Sequence, residues 1–348
     1  MRLPLLLMIT GILLLLLGGV PAVFEFMSMQ GFFIDPTESL FPAHWFIMIY
    51  GFFGALIGNE VLVALSVEWS GKTADNSLIA VYLSSVILGS ISFLFLSQQL
   101  GLIFILLSMG ILLYHSKEYL GVSKIGLSPT TYNWLLFYSI MISSAIVAFQ
   151  LGLGYTIPYI NLIFPASMIL AVMDRDIALV TGVKIARHWE NVLAFILLAI
   201  GMGIYPDGSI LMILAWILSF HASGLYRFKG RRYPILHLVT AWIYLLIASI
   251  LVFSYDIYIH AIAVGFLFNT VFGVDVVLMD LFVNAFNRRI HVKPSYIPFI
   301  LLNVGLTMRF LYDFGLSIPI LLLASPLQGI GILSFFVLTL KQVVRLNE

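Results

Sequence analysis

Residues 4–25, PLLLMITGILLLLLGGVPAVFE, carry no charge before the closing Glu25. As a helix rising about 1.5 Å per residue, such a run crosses a hydrocarbon core of about 30 Å. Eleven more apolar stretches follow, at 42–65, 77–96, 100–114, 131–152, 156–173, 190–206, 209–226, 235–254, 258–282, 295–313 and 316–340. Each is long enough to span a bilayer or nearly so, with 100–114 and 190–206 the shortest. In lipid the backbone must satisfy its own polar groups, and runs of this length do so as helices rather than barrel strands.

The expected fold class is therefore an all-α polytopic membrane protein of about twelve transmembrane helices, a single domain over 1–348. The longest polar connections hold only about 15 residues, too few for a separate extramembrane domain. Composition excludes a water-soluble globule: 61% of residues are apolar and 9% charged, against about 45–50% and about 25% in soluble domains. The first stretch reads as a span rather than a signal peptide, because it is too long and no small-residue cleavage site follows. The chain has no cysteine, which removes disulfides, thiolate metal sites, iron–sulfur clusters and covalent haem attachment. A net charge of +1 gives no reason to expect a nucleic-acid partner; the expected partner is membrane lipid.

Lys and Arg set the expected orientation. With the N-terminus cytoplasmic, alternate loops hold Lys72; Lys117 and Lys124; Arg175, Lys184 and Arg187; Arg227, Lys229, Arg231 and Arg232; and Arg288, Arg289 and Lys293. Arg2, Lys341 and Arg345 join them, which places 16 of the 17 basic residues on one side. The opposite loops carry Glu25, Asp35, Glu38, Asp207 and Asp256. Both termini are thus expected in the cytoplasm, with 27–41 the main external loop.

Ionisable groups inside a span are costly, so each is a candidate for function. His44 and His260 stand about two residues into the second and tenth spans, which run the same way, so their imidazoles lie at similar depth near the outer face. Bis-imidazole haem ligation needs such a pair; the alternative is two interfacial histidines bonded to loops. Arg309, the one basic residue outside the cytoplasmic set, would suit a haem carboxylate, or would pair with Asp313 at i+4. Glu60 and Asp275 lie 16 and 15 residues beyond the two histidines, roughly 22–24 Å deeper. They form either a proton or ion site, or two buried neutral acids. His221 and His237 lie near the inner ends of their spans and could join those carboxylates, though without metal-ligand spacing; packing roles are favoured. His115, His188 and His291 belong to basic loops and should titrate in solvent. Gly51, Gly54, Ala55 and Gly58 give the second span a small-residue face, for close packing or for a planar macrocycle.

Three segments resemble the NnrS family of haem- and copper-containing membrane proteins. In the second span, His44, Gly51-Phe52, Ala64 and Trp69-Ser70-Gly71 match the family's His-opened helix and its closing W-T-G turn. RRYPILHLVTAWIYLLIA, with His237 and Trp242, looks like its L-H-L-x-x-A-W helix, and HAIAVGFLFNT, with His260 and Gly265, like its H-A-L-T-V-G motif. The rest of the chain corresponds by hydropathy and order. Phe46 and Ile47 stand where family members carry a second His and a Glu, so a family-like copper site is doubtful. A more distant resemblance is to the catalytic subunit of haem–copper oxidases and nitric oxide reductases, where helices 2 and 10 also supply haem ligands.

The resemblance implies haem b held by His44 and His260, with Arg309 near the propionates, in the plasma membrane of a prokaryote. The implied role is nitric oxide or nitrosative-stress handling, or electron transfer with a respiratory partner. Two other readings remain open at the level of sequence: a proton- or ion-coupled transporter using Glu60 and Asp275, and a structural subunit of a larger respiratory complex.

Overall fold

The computed structural model describes residues 2–29, 31, 35–182, 187–285, 293–316 and 319–344. Lys184, Arg288, Arg289, His291 and Arg345 lie outside them, and the Arg2 side chain is not described. The described residues form helices and their connections, without strands.

Among the described residues, twelve helical rods overlap the apolar stretches of the sequence. They are α1 (Arg2–Met29), α2 (44–70), α3 (Asn76–Phe95), α4 (Gln98–Ser116), α5 (Thr131–Leu153), α6 (Ile163–Thr181), α7 (His188–Gly203), α8 (Ser209–Ser223), α9 (Arg232–Ile250), α10 (255–285), α11 (Ile297–Asp313) and α12 (Ala324–Val344). Among the described residues, eight helices are long and apolar enough to cross a membrane: Leu5–Met29, Glu38–Ser70, Asn76–Phe95, Gln98–Leu120, Thr131–Leu153, Arg232–Ile250, Tyr255–Leu278 and Pro319–Thr339. They mark the chain as a membrane protein. His188–Gly203 and Ser209–Ser223 are shorter apolar helices. Large apolar side chains such as Leu13, Phe95, Ile210 and Val337 are well exposed on the rods, a surface that suits lipid rather than water.

The chain divides into two compact units, one of residues 1–28 and 33–172, the other of 29–32 and 173–348. In the first, α3 packs on α4, α4 on α5, and α2 on α3. In the second, the neighbouring pairs are α7 with α8, α8 with α9, α9 with α10, and α11 with α12. Because lipid removes most of the hydrophobic drive between helices, close backbone approach at small residues carries the packing. A Cβ on Gly101 would stand 2.8 Å from Phe93 Cβ across α3 and α4, and one on Gly331 2.7 Å from Leu302 N across α11 and α12.

Two rods depart from regular α-helix. α2 runs as α (His44–Phe46), π (Ile47–Phe53), α (Gly54–Asn59), π (Glu60–Ala64) and α (Leu65–Ser70). α10 runs as α (Tyr255–His260), π (Ala261–Phe268) and α (Asn269–Ala285). A return from i−5 to i−4 bonding leaves one carbonyl without a backbone donor. Leu65 N–H still reaches back five residues to Glu60 O, and the Val61 carbonyl next in line takes the Tyr119 hydroxyl.

Two expectations from the sequence need correction. The stretch 156–173 is a 3-10 turn, Pro158–Leu162, followed by a helix that continues past Asp174, Arg175 and Asp176 to Thr181. Arg175 is therefore a buried helical residue beside Asp176 (3.4 Å), not a loop cation. Local pairing lets the helix carry charges that looked like its end. His115, expected in solvent, is only 4% exposed, under the edge of the Tyr119 ring.

Candidate functional site

The first unit positions His44 at the opening turn of α2. Its Nδ1 lies 2.8 Å from the Gly18 carbonyl of α1, and the Phe41 ring stacks beside it. A carbonyl oxygen can only accept, so Nδ1 carries a proton and donates it. The π segment begins three residues later and brings Tyr50 inward, where its hydroxyl donates to Asn161 Oδ1 (2.5 Å). Gln150 Nε2 donates to the same oxygen (2.6 Å), and Gln150 Oε1 accepts from the Ile157 amide (2.7 Å). This buried amide pair is satisfied as it stands.

The small-residue face of α2 is filled by protein. Tyr82 of α3, fully buried, lays its ring over Gly58 and donates its hydroxyl to the Gly54 carbonyl (2.6 Å). A Cβ on Gly51 would meet Leu14 Cδ1 and Ser90 Oγ, both at 3.2 Å. Of the two roles open for this face, close packing is the one observed. Trp69, near the end of α2, donates its indole N–H to the Glu118 carbonyl (3.0 Å). Gly71 then ends the helix at φ 75°, which an L side chain adopts only with strain. Glu60 opens the second π segment, within electrostatic range of Tyr119.

The second unit positions His260 on the first turns of α10, directly before its π segment. Its Nδ1 lies 2.8 Å from the main-chain carbonyl of Asp256, one turn back, which again assigns the proton to Nδ1. The Asp256 carboxylate is 3.2 Å from the same nitrogen. That carboxylate takes a two-pronged bond from Arg309, Nε at 2.7 Å and Nη2 at 2.9 Å, while Nη1 reaches Ser325 Oγ at 3.3 Å. Arg309 thus ties α10, α11 and α12 together. Asp313 is half-exposed, with one carboxylate oxygen buried and without a hydrogen bond. Sequence reasoning counted Asp256 only as an outer acidic residue. The signal that could have found its role was its spacing, four residues before His260.

The glycine of the H-A-x-x-V-G segment has a steric reason to be there. A Cβ on Gly265 would stand 2.3 Å from the Tyr244 ring of α9. Gly273, two turns on, lets α9 approach so closely that a Cβ there would be 2.9 Å from His237 Cβ. His237 is fully buried, with Nδ1 3.1 Å from Asn269 Oδ1. Asn269 and Asn303 exchange side-chain bonds of 2.9 and 3.1 Å. Asp275 lies within electrostatic range of Tyr233.

Two further histidines of the second unit, His221 and His188, make local hydrogen bonds. His221 Nδ1 donates to Glu190 (2.8 Å) while its Nε2 accepts from Arg187 (2.7 Å). His188 Nδ1 donates to Asp174 (2.6 Å). Among the described residues no group of three or more His, Asp or Glu gathers as a metal site would require.

No family model, curated protein or solved structure matches the chain.

Proposed function

We propose that the chain is an NnrS-like membrane haem protein, with His44 and His260 as the histidine ligands of the haem iron. One observation carries the proposal: α2 and α10 repeat a single local device. Each places a histidine at its opening, gives the Nδ1 proton to a main-chain carbonyl at 2.8 Å, and then widens into a π segment. Metal-binding histidines are held in this way, with the second ring nitrogen bonded so that tautomer and ring orientation are fixed. π segments within α-helices are frequent at functional sites. Two such imidazoles suit haem iron as a donor set, and with no cysteine the haem would be non-covalent, b-type.

Haem held by these residues would supply one-electron redox chemistry and gas binding. The chain's own residues anchor and tune it. Gly18 holds the His44 ring from α1, and the Asp256 carbonyl holds the His260 ring from within α10. Arg309 acts as a positioning residue: its fork is engaged by the Asp256 carboxylate, and through it bears on His260. With both histidines engaged by the haem, electron transfer would be favoured over catalysis. The physiological setting we propose is a respiratory or nitrosative-stress role in a prokaryotic plasma membrane, with both termini cytoplasmic. The absorption spectrum of the detergent-purified protein tests the proposal. A Soret band with low-spin features is expected; its absence after expression with ample haem would return the chain to the transporter and structural-subunit readings.

A further inference from the structure

The second unit holds a pair of complementary polar atoms that the haem proposal does not use. Asn269 donates its amide hydrogens to the Gly265 carbonyl (2.8 Å) and to Asn303 Oδ1 (2.9 Å), which turns its oxygen toward His237. An amide oxygen only accepts, so His237 Nδ1, at 3.1 Å, carries the ring proton and Nε2 the lone pair. Nε2 is buried and has no hydrogen-bond partner among the described residues. Three rings border the imidazole: Tyr233 at 4.6 Å, Phe299 at 4.8 Å and Phe272 at 5.9 Å between centroids. Only Tyr233 among them has a polar atom, and its hydroxyl is likewise buried and without a hydrogen bond.

An orphaned acceptor and an orphaned donor therefore lie one helical turn apart on α9, with no bond between them. Leaving either unpaired in the interior is costly, and buried polar groups in native proteins are paired with protein or with ordered water. One small protic molecule satisfies both, accepting from the Tyr233 hydroxyl and donating to His237 Nε2. We propose that Tyr233 and His237 form a binding site for a single buried molecule of this kind, water in the resting protein. Buried waters typically make about three hydrogen bonds. Asp275, within electrostatic range of the Tyr233 hydroxyl, gives the site a carboxylate neighbour. Water at this position would join the Tyr233 hydroxyl to the His237 ring on α9, with the Asp275 carboxylate of α10 as a charged neighbour.

Infrared spectra of the purified full-length protein in ordinary and oxygen-18 water, wild type against Tyr233→Phe, test the site. The wild type should show an isotope-sensitive O–H band of a buried water, and Tyr233→Phe should shift or remove it. Identical isotope-sensitive bands in the two proteins would overturn the proposal. Thermal melting provides a second readout of opposite sign for the two cases. Removing the hydroxyl from a bridged site lowers the midpoint, because water and Nε2 lose a partner. Removing an orphaned hydroxyl raises it, and a rise overturns the proposal. In a His237→Phe background, Tyr233→Phe should cost less than it does alone; an equal cost would show that the two groups share nothing. None of these readouts depends on haem.

Discussion

Gly58→Ala is a one-methyl change whose effect can be worked from the packing of α2. The new Cβ would stand 2.1 Å from Tyr82 Cε1, 2.7 Å from Cζ and 3.0 Å from Cδ1. Ordinary contact begins near 3.4 Å, so the ring must retreat by 1.3 Å at its nearest atom. Tyr82 is fully buried and cannot swing into lipid, and its hydroxyl is tied to the Gly54 carbonyl at 2.6 Å. Overpacking a filled core costs about 1–3 kcal/mol. Breaking the tyrosine bond, with a buried hydroxyl left unpaired, adds about 1–3 kcal/mol. The total of about 2–6 kcal/mol corresponds to a fall in melting temperature of roughly 4–24 °C for a unit of this size.

The assay is thermal melting in detergent of the single variant, of Tyr82→Leu, and of the pair. Tyr82→Leu removes the clashing ring, so Gly58→Ala should cost little in that background. The haem spectrum should be unchanged in Gly58→Ala, because Tyr82 and not a macrocycle covers this face. A melting temperature within 1 °C of wild type, or loss of haem from a folded Gly58→Ala protein, would refute the reasoning.

Topology is open to cysteine labelling, since the native chain has no thiol. A cysteine placed at Ser28 should react with an impermeant reagent from outside, and labelling only from the cytoplasmic side would reverse the orientation. Arg309→Leu should keep the haem and lower its reduction potential, because the Asp256 carboxylate beside His260 loses its countercharge. An upward shift in a redox titration would contradict that charge balance. The same variant should cost about 1–2 kcal/mol of stability, below the about 3–5 kcal/mol of a fully buried pair, because the Asp256 side chain is 40% exposed. Glu60→Gln and Asp275→Asn should leave the haem spectrum intact, both residues lying 15 or more positions along their helices from the nearest proposed ligand. A changed spectrum in either folded variant would place those carboxylates at the haem.

Rod positions were legible in the sequence because apolar run length is a direct consequence of bilayer thickness. The run 131–152 became Thr131–Leu153, and 77–96 became Asn76–Phe95. Charge misled at α6, where Asp174, Arg175 and Asp176 looked like a loop but find partners within 4 Å and stay helical. The π segments of α2 and α10 left no mark in the hydropathy, since one inserted residue in a helical turn changes no polarity. Partners far apart in the chain were equally hidden. Arg309 and Asp256 are 53 residues apart, so only the fold could show that Asp256 takes the guanidinium fork. Tyr82 and Tyr244 pack over Gly58 and Gly265, and the glycines alone indicated a close approach without saying of what.

Absorption spectroscopy of single-histidine variants tests the central claim most directly. Wild type, His44→Ala, His260→Ala and His237→Ala would be purified in the same detergent and compared oxidised and dithionite-reduced. His44→Ala and His260→Ala should each lose the haem or convert it to a high-spin form, whereas His237→Ala should retain the wild-type low-spin spectrum. Wild-type low-spin spectra in both His44→Ala and His260→Ala would show that neither residue is a ligand.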